Sequence, residues 1–197
     1  MRRIIFATGN AGKLKEIREI MKDTGFEVLS MKEAGLALDI GENGATFEEN
    51  ALIKARAVCA AAGEIALADD SGLEVDYMDR APGVYSARFL GEDTSYEIKN
   101  QYILDKLAGV PDEERSARFV CAIAAVFPGG REEIRTAAIE GRIAYEPAGE
   151  NGFGYDPIFY VPEYGCTTAQ LTMEQKNEIS HRAKALNRMK EEVLCGS

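Results

Sequence analysis

Four short stretches of this chain bring together residue types that can handle a phosphorylated ligand. The first is Thr8-Gly9-Asn10-Ala11-Gly12-Lys13. Its glycines allow close backbone approach, a helix start offers N–H groups to an anion, and Lys13 adds a mobile cation; together they describe a phosphate cradle. It is not a Walker A loop, which spaces its glycines more widely and follows its lysine with Ser or Thr, whereas Leu14 follows Lys13 here. An ordinary glycine turn with a solvated lysine has the same spacing, so spacing alone does not choose. The second stretch is acidic: Glu42 in a polar loop, and Asp69-Asp70 before Ser71-Gly72. Magnesium is held by one or two hard carboxylate oxygens, with waters and substrate phosphate completing its shell, and such carboxylates can also activate water. Among 33 acidic residues, however, carboxylates in turns are commonplace, and either aspartate could simply bond a turn backbone.

The third stretch, Lys176 to Arg182, holds the only histidine, His181, beside Arg182, just after Ser180, a fitting helix cap. Cations in a first helical turn oppose the macrodipole by roughly a few tenths to 1 kcal/mol each unless an anion offsets them, which favours a ligand there over an exposed, screened helix start. The fourth is Asn151-Gly152-Phe153-Gly154-Tyr155-Asp156-Pro157. Glycines expose backbone donors and acceptors and an aromatic face can stack on a base, although a turn carrying a core phenylalanine reads the same way.

These residues need a frame. The 197 residues, 46% hydrophobic, have the size and apolar content of one globular domain spanning 1–197. Four cysteines, widely spaced and without a CxxC pair, indicate neither a zinc site nor a disulfide framework, and a reducing cytoplasm is the simplest home. The apolar run after Met1-Arg2-Arg3 is too short for a signal-peptide core, and no later run is long enough for a membrane span. A net charge of −10 argues against broad nucleic-acid binding, yet leaves room for a small phosphate ligand met by a few cations in one place.

The hydrophobic pattern predicts a strand over Arg2–Ala7 and a helix over Lys13–Met21. Thr46-Phe47-Glu48-Glu49 is a capping-box pattern that opens a helix ending near Gly63. Ile65–Ala68 and Leu73–Val75 read as short strands around an Asp69–Gly72 turn, which puts the acidic pair at a strand end. A helix within Thr94–Leu107 precedes a buried strand, Phe119–Phe127, which Pro128-Gly129-Gly130 turns into a partner at Ile134–Ile139. The last helix carries Leu186, Met189 and Val193. Alternating elements of this kind make an α/β chain.

Read jointly, the Thr8–Lys13, Thr46–Ala51, Ala68–Leu73, Pro82–Arg88, Gly152–Pro157 and Ser180–Arg182 segments resemble the inosine triphosphate pyrophosphatase family, also known as the XTP/dITP pyrophosphatases. The resemblance spans nearly the whole chain, with the segments in the family's order and spacing. It implies a central mixed sheet flanked by helices, two lobes with a substrate cleft between them, and a homodimer. It also implies magnesium-dependent hydrolysis of ITP, dITP and XTP to monophosphate and pyrophosphate. By the same resemblance, Thr8, Gly9, Asn10, Ala11, Gly12, Lys13 and Lys54 hold the triphosphate, and Glu42 and Asp70 bind magnesium, with Asp70 as proton acceptor. Ser71 contacts substrate; Phe153, Gly154, Tyr155 and Asp156 line the nucleoside pocket with Lys176, His181 and Arg182; Arg88 reaches towards it.

Two rival readings use the same residues: a broader pyrophosphatase acting on modified pyrimidines or standard triphosphates, and a nucleotide sensor without chemistry. A base panel separates the first, and pyrophosphate release the second.

Overall fold

The computed structural model describes residues 2–195. Strand β1, Arg2–Phe6, runs parallel to β2, Phe26–Ser30, with Ile4 opposite Val28, and parallel to β3, Ile65–Val75, with Ile4 opposite Ile65. Between β1 and β2 lies α1, Ala11–Met21; between β2 and β3 lies α2, Phe47–Ala62. Helix α3, Tyr96–Lys106, precedes β4, Ser116–Val126, and a turn in which the Phe127 N–H donates to the Arg131 carbonyl leads into β5, Glu132–Ile143. Two short strands, β6 (Phe159–Val161) and β7 (Cys166–Thr167), then add to β5 in antiparallel fashion. The sheet is therefore mixed and seven-stranded, in the order β2-β1-β3-β4-β5-β6-β7. Helices α4, Met173–Ile179, and α5, His181–Met189, follow, the latter running into a wider π-helical turn at Lys190–Leu194. No helix among the described residues is long and apolar enough to cross a membrane.

The helix signals act locally as the sequence suggests. Thr46 accepts the Glu49 N–H at 3.1 Å and starts α2, while Gly63, in the left-handed region at φ 68°, ends it. The Glu49 carboxylate reaches back one residue further than a capping box requires, to the Ala45 N–H at 2.7 Å. Helix α1 begins before Lys13 because Asn10 caps it.

The acidic pair departs from expectation. Asp69 and Asp70 do not sit in a turn at a strand end; β3 continues unbroken through Asp69-Asp70-Ser71-Gly72. Aspartate and glycine are poor strand formers. Here Lys13 and Arg182 neutralise Asp69, and the Ser86 hydroxyl accepts the Leu73 N–H at 2.9 Å just beyond, so side-chain partners hold the segment extended.

The chain divides into two compact units. Unit 1 comprises the chain up to Asp70, Cys121–Ala137 and the segment from His181 onward; unit 2 comprises Ser71–Val120 and Ala138–Ser180. In unit 1, Ile17 and Met21 of α1 and Leu186 and Met189 of α5 bury against Ile4, Phe6, Leu67 and Ile123 of the strands. Each such side chain contributes about 1.5–3 kcal/mol by leaving water. In unit 2, Ile103 and Leu107 of α3 join Leu73, Val75, Ile143 and the Phe119–Phe159 ring pair, whose centroids are 4.4 Å apart. Unit 2 also buries Arg115, whose guanidinium donates to the carbonyls of Leu107 at 2.7 Å, Ile143 at 2.8 Å and Ala144 at 2.7 Å, and stacks 4.2 Å from the Tyr145 ring.

Candidate active site

In unit 1 the Thr8–Lys13 turn joins β1 to α1. The Asn10 side-chain oxygen accepts the N–H groups of Gly12 at 2.9 Å and Lys13 at 3.2 Å, and the Thr8 hydroxyl accepts the Asn10 N–H at 3.1 Å. Two of the donors that an open helix start offers an anion are thus satisfied internally. What the turn retains for an anion is the Thr8 hydroxyl, the Gly9 backbone, the Lys13 ammonium and a first helical turn without an acidic residue. A cavity of about 580 Å³ is lined by Thr8, Gly9, Asn10 and Ala11 and by Met31, Lys32, Leu36 and Leu38.

Successive side chains of an extended strand point to opposite faces, and the two aspartates of β3 separate accordingly. Asp69 receives Lys13 Nζ at 3.0 Å and Arg182 Nε at 3.2 Å on the same oxygen. Arg182 also pairs with Glu16 of α1. Burial alone would push the Asp69 carboxyl up, but Lys13 and Arg182 hold it well below the usual carboxylate range. The anions that offset the cationic start of α5 are therefore the chain's own carboxylates, Asp69 and Glu16.

Asp70 meets different groups. Its Oδ2 accepts Asn50 Nδ2 at 3.0 Å, and Lys54 Nζ stands 3.8 Å from its Oδ1 and 3.1 Å from Glu42 Oε2. Burial, reinforced by the negative charge of Glu42, pushes the Asp70 carboxyl up to about 6 against the pull of Lys54 and Asn50. Two carboxylates share one ammonium here. Asn50 is fully buried, and its Oδ1 also accepts the Gly44 N–H at 2.8 Å. A Cβ on Gly44 would lie 2.8 Å from that oxygen, so only glycine lets the loop after Glu42 approach so closely. Sequence reading did not single out Asn50; the signal was a polar residue on the apolar face of α2.

Unit 2 holds the Gly152–Pro157 loop, folded around the Asp156 carboxylate. Its Oδ2 accepts the Phe153 N–H at 2.8 Å and the Lys176 ammonium at 2.8 Å, while Oδ1 accepts the Thr168 hydroxyl at 2.8 Å. Lys176 Nζ also lies 4.7 Å from the centre of the Phe153 ring. Gly152 is at φ 76°, and a Cβ there would fall 2.2 Å from Asp156 Oδ2. Tyr155 donates its hydroxyl to the Ser86 carbonyl at 2.7 Å, and burial pushes its phenol well above the usual range.

Within unit 1, then, Lys13 and Arg182 meet on Asp69, and Glu42, Lys54 and Asp70 meet one another; His181 is buried at the start of α5. Within unit 2, Phe153, Asp156 and Lys176 meet, with Gly154 and Tyr155 in the same loop. Ser71 follows Asp70 directly on β3. Arg88 lies in unit 2 with its guanidinium over the Tyr85 ring.

The chain is similar to known proteins over nearly its whole length. The chain is 50% identical over 189 residues to the dITP/XTP pyrophosphatase of Desulforamulus reducens, covering 96% of this chain and 94% of that one. It is 47% identical over 189 residues to the dITP/XTP pyrophosphatase of Bacillus subtilis, covering 96% of each. A HAM1 protein structure from Coxiella burnetii superposes with a TM-score of 0.90 at 42% identity over the full length of both chains. Residues 4–192 match the family model of the same group, and the chain belongs to the Ham1 family.

Proposed function

We propose that this chain hydrolyses non-standard purine nucleoside triphosphates, ITP, dITP and XTP, to nucleoside monophosphate and pyrophosphate, clearing them from the nucleotide pool. Water adds to the α-phosphorus, the bond to the bridging oxygen breaks, and pyrophosphate departs with that oxygen. The observation that carries the reading is the Glu42–Lys54–Asp70 cluster: two carboxylates held by one ammonium, with Asp70 pushed up to about 6. The names of the Desulforamulus and Bacillus relatives support the substrate class.

A magnesium ion fits the donor set. Magnesium needs one or two carboxylate oxygens and takes the rest of its shell from water and phosphate, which Glu42 and Asp70 match. When bound, the ion neutralises charge on the triphosphate. The chain's own residues do the remainder. Lys13, Lys54, the Thr8 hydroxyl and the Gly9 backbone hold the phosphates and stabilise the charge that shifts onto the leaving group. Asp70, whose acidity is tuned by burial towards neutrality, accepts the proton of the attacking water. Ser71 sits one residue away as a substrate contact.

The Phe153–Asp156 loop, Lys176 and His181 serve the nucleoside. Lys176, fixed by Asp156, is a cationic donor suited to the oxo group of hypoxanthine or xanthine and mismatched to the amino group of adenine. Arg182 is assigned to the nucleoside as well, and its guanidinium is held by Asp69 and Glu16.

In this reading the protein works in the cytoplasm without nucleic acid, as its free cysteines and acidic charge favour. It works as a homodimer, for which the exposed Tyr77, Tyr85 and Ile98 of unit 2 offer apolar surface. Light scattering measures the dimer directly.

The test is pyrophosphate release by purified protein with magnesium across a panel of bases. Rates on ITP, dITP and XTP far above those on ATP, GTP and pyrimidine triphosphates are expected. Equal rates across the panel, or nucleotide binding without release, would overturn the reading.

A further inference from the structure

Helix α3 belongs to no stretch singled out for chemistry, yet it grips the nucleoside loop. Tyr96, Lys99 and Asn100 share one face of the helix, spaced three and four residues apart. Asn100 is buried, and its Nδ2 donates to the Gly154 carbonyl at 3.1 Å. The Tyr96 ring meets the Tyr155 ring edge to face, centroids 5.2 Å apart at 89°. Lys99 lies over the Tyr96 ring and donates to the Ala87 carbonyl at 2.6 Å, next to the Ser86 carbonyl that receives the Tyr155 hydroxyl.

The Asn100 amide is not there for stability alone. Its Oδ1 is buried and has no hydrogen-bond partner among the described residues, a penalty that leucine, of similar size, would escape. What the amide provides is its donor. The Gly154–Tyr155 peptide is trans, so its N–H points opposite to its C=O. Fixing the Gly154 carbonyl onto α3 turns the Tyr155 N–H away from α3, and no acceptor among the described residues receives that N–H. Gly154, at φ 69°, makes the turn accessible, and from the α3 side the Asn100 amide bonds its carbonyl while the Tyr96 ring faces its Cα.

We infer that Asn100 is a positioning residue for base selection: its bond to the Gly154 carbonyl holds the Tyr155 N–H out as a donor for the oxo edge of a purine. An N–H fixed in that direction favours an oxo substituent and leaves an amino substituent mismatched. The inference rests on the Gly152–Pro157 loop being the base-binding element of the proposed pyrophosphatase.

The experiment compares wild type, Asn100→Leu and Tyr96→Leu on ITP and ATP with magnesium, with melting temperatures recorded for each. Wild type is expected to prefer ITP. Asn100→Leu should lower the ITP to ATP ratio of kcat/KM roughly tenfold, through a raised KM for ITP with kcat on saturating ITP little changed. Should Asn100→Leu fail to fold, Tyr96→Leu, altered at a partly exposed position, should still lower the ratio severalfold. A folded Asn100→Leu, or failing that Tyr96→Leu, with the wild-type ratio overturns the inference and leaves the proposed function standing. A wild type that releases no pyrophosphate from ITP overturns both.

Discussion

Asp69 and Asp70 are neighbours on one strand and serve opposite sides of it. Asp69 is neutralised by Lys13 and Arg182, while Asp70 faces Asn50, Lys54 and the Glu42 carboxylate. The first is held ionised by surrounding cations; the second is pushed towards protonation by burial. A single peptide step therefore separates a structural anchor from the residue assigned to chemistry, and substitution should tell them apart.

Asp70→Asn should lower turnover of ITP by roughly 100-fold or more while leaving nucleotide affinity within a few fold, because the amide keeps the size but accepts no proton. Single-turnover kinetics alongside equilibrium binding checks the split. Turnover near wild type would remove Asp70 from the chemistry.

Asp69→Asn should act on the fold instead. It leaves Arg182 and Lys13 without their shared carboxylate in a buried setting, where losing one partner costs about 3–5 kcal/mol. Urea denaturation should show a large drop in midpoint. An unchanged midpoint would mean that Glu16 alone satisfies Arg182.

The raised Asp70 carboxyl has a pH signature in the metal-free protein. Between its ordinary value near 3.8 and its folded value of about 6, the folded chain binds more protons than the unfolded one. Its contribution to stability therefore falls as pH rises through that window and stays low above it, by roughly 1–3 kcal/mol in total. Subtracting the stability profile of Asp70→Asn from that of wild type isolates the effect. A difference that is flat from pH 4 to about 7 would show that Asp70 titrates normally.

Gly152→Ala tests the nucleoside loop. The new methyl would meet Asp156 Oδ2 at 2.2 Å from a backbone at φ 76°, so the loop must abandon the carboxylate that also holds Phe153 and Lys176. The KM for ITP should rise about tenfold or more, with a stability loss of roughly 1–3 kcal/mol. Steady-state kinetics and thermal melts measure both.

Arg115→Met should destabilise without touching chemistry. The carbonyls of Leu107, Ile143 and Ala144 lose a buried donor, at about 1–3 kcal/mol apiece before relaxation, while kcat per folded molecule stays at the wild-type value. Active-site titration during denaturation distinguishes the two effects.

Local signals were legible in the sequence. Thr46 and Gly63 bound α2 as their types suggest, and the Pro128-Gly129-Gly130 turn joins two strands that lie side by side in the sheet. What was not legible depends on partners distant along the chain. Asp69-Asp70-Ser71-Gly72 reads as a turn until Arg182 arrives to neutralise Asp69. Arg182 reads as waiting for a ligand until Asp69 and Glu16 are seen beside it. Strand β2 was missed because Phe26–Ser30 is short and earns its place only by pairing with β1. Glycine punctuation and charge mark Lys13 and Asp70 locally; Asn50 and Asn100 carry no such mark, since an asparagine inside a helix announces nothing until its partner is in view.

Because β3 runs unbroken from Ile65 to Val75, the passage from unit 1 to unit 2 at Asp70 and Ser71 falls inside a hydrogen-bonded strand. Each unit also draws on stretches scattered along the gene. Neither half can be expressed by trimming one end, so a dissection of this enzyme has to proceed by point substitution.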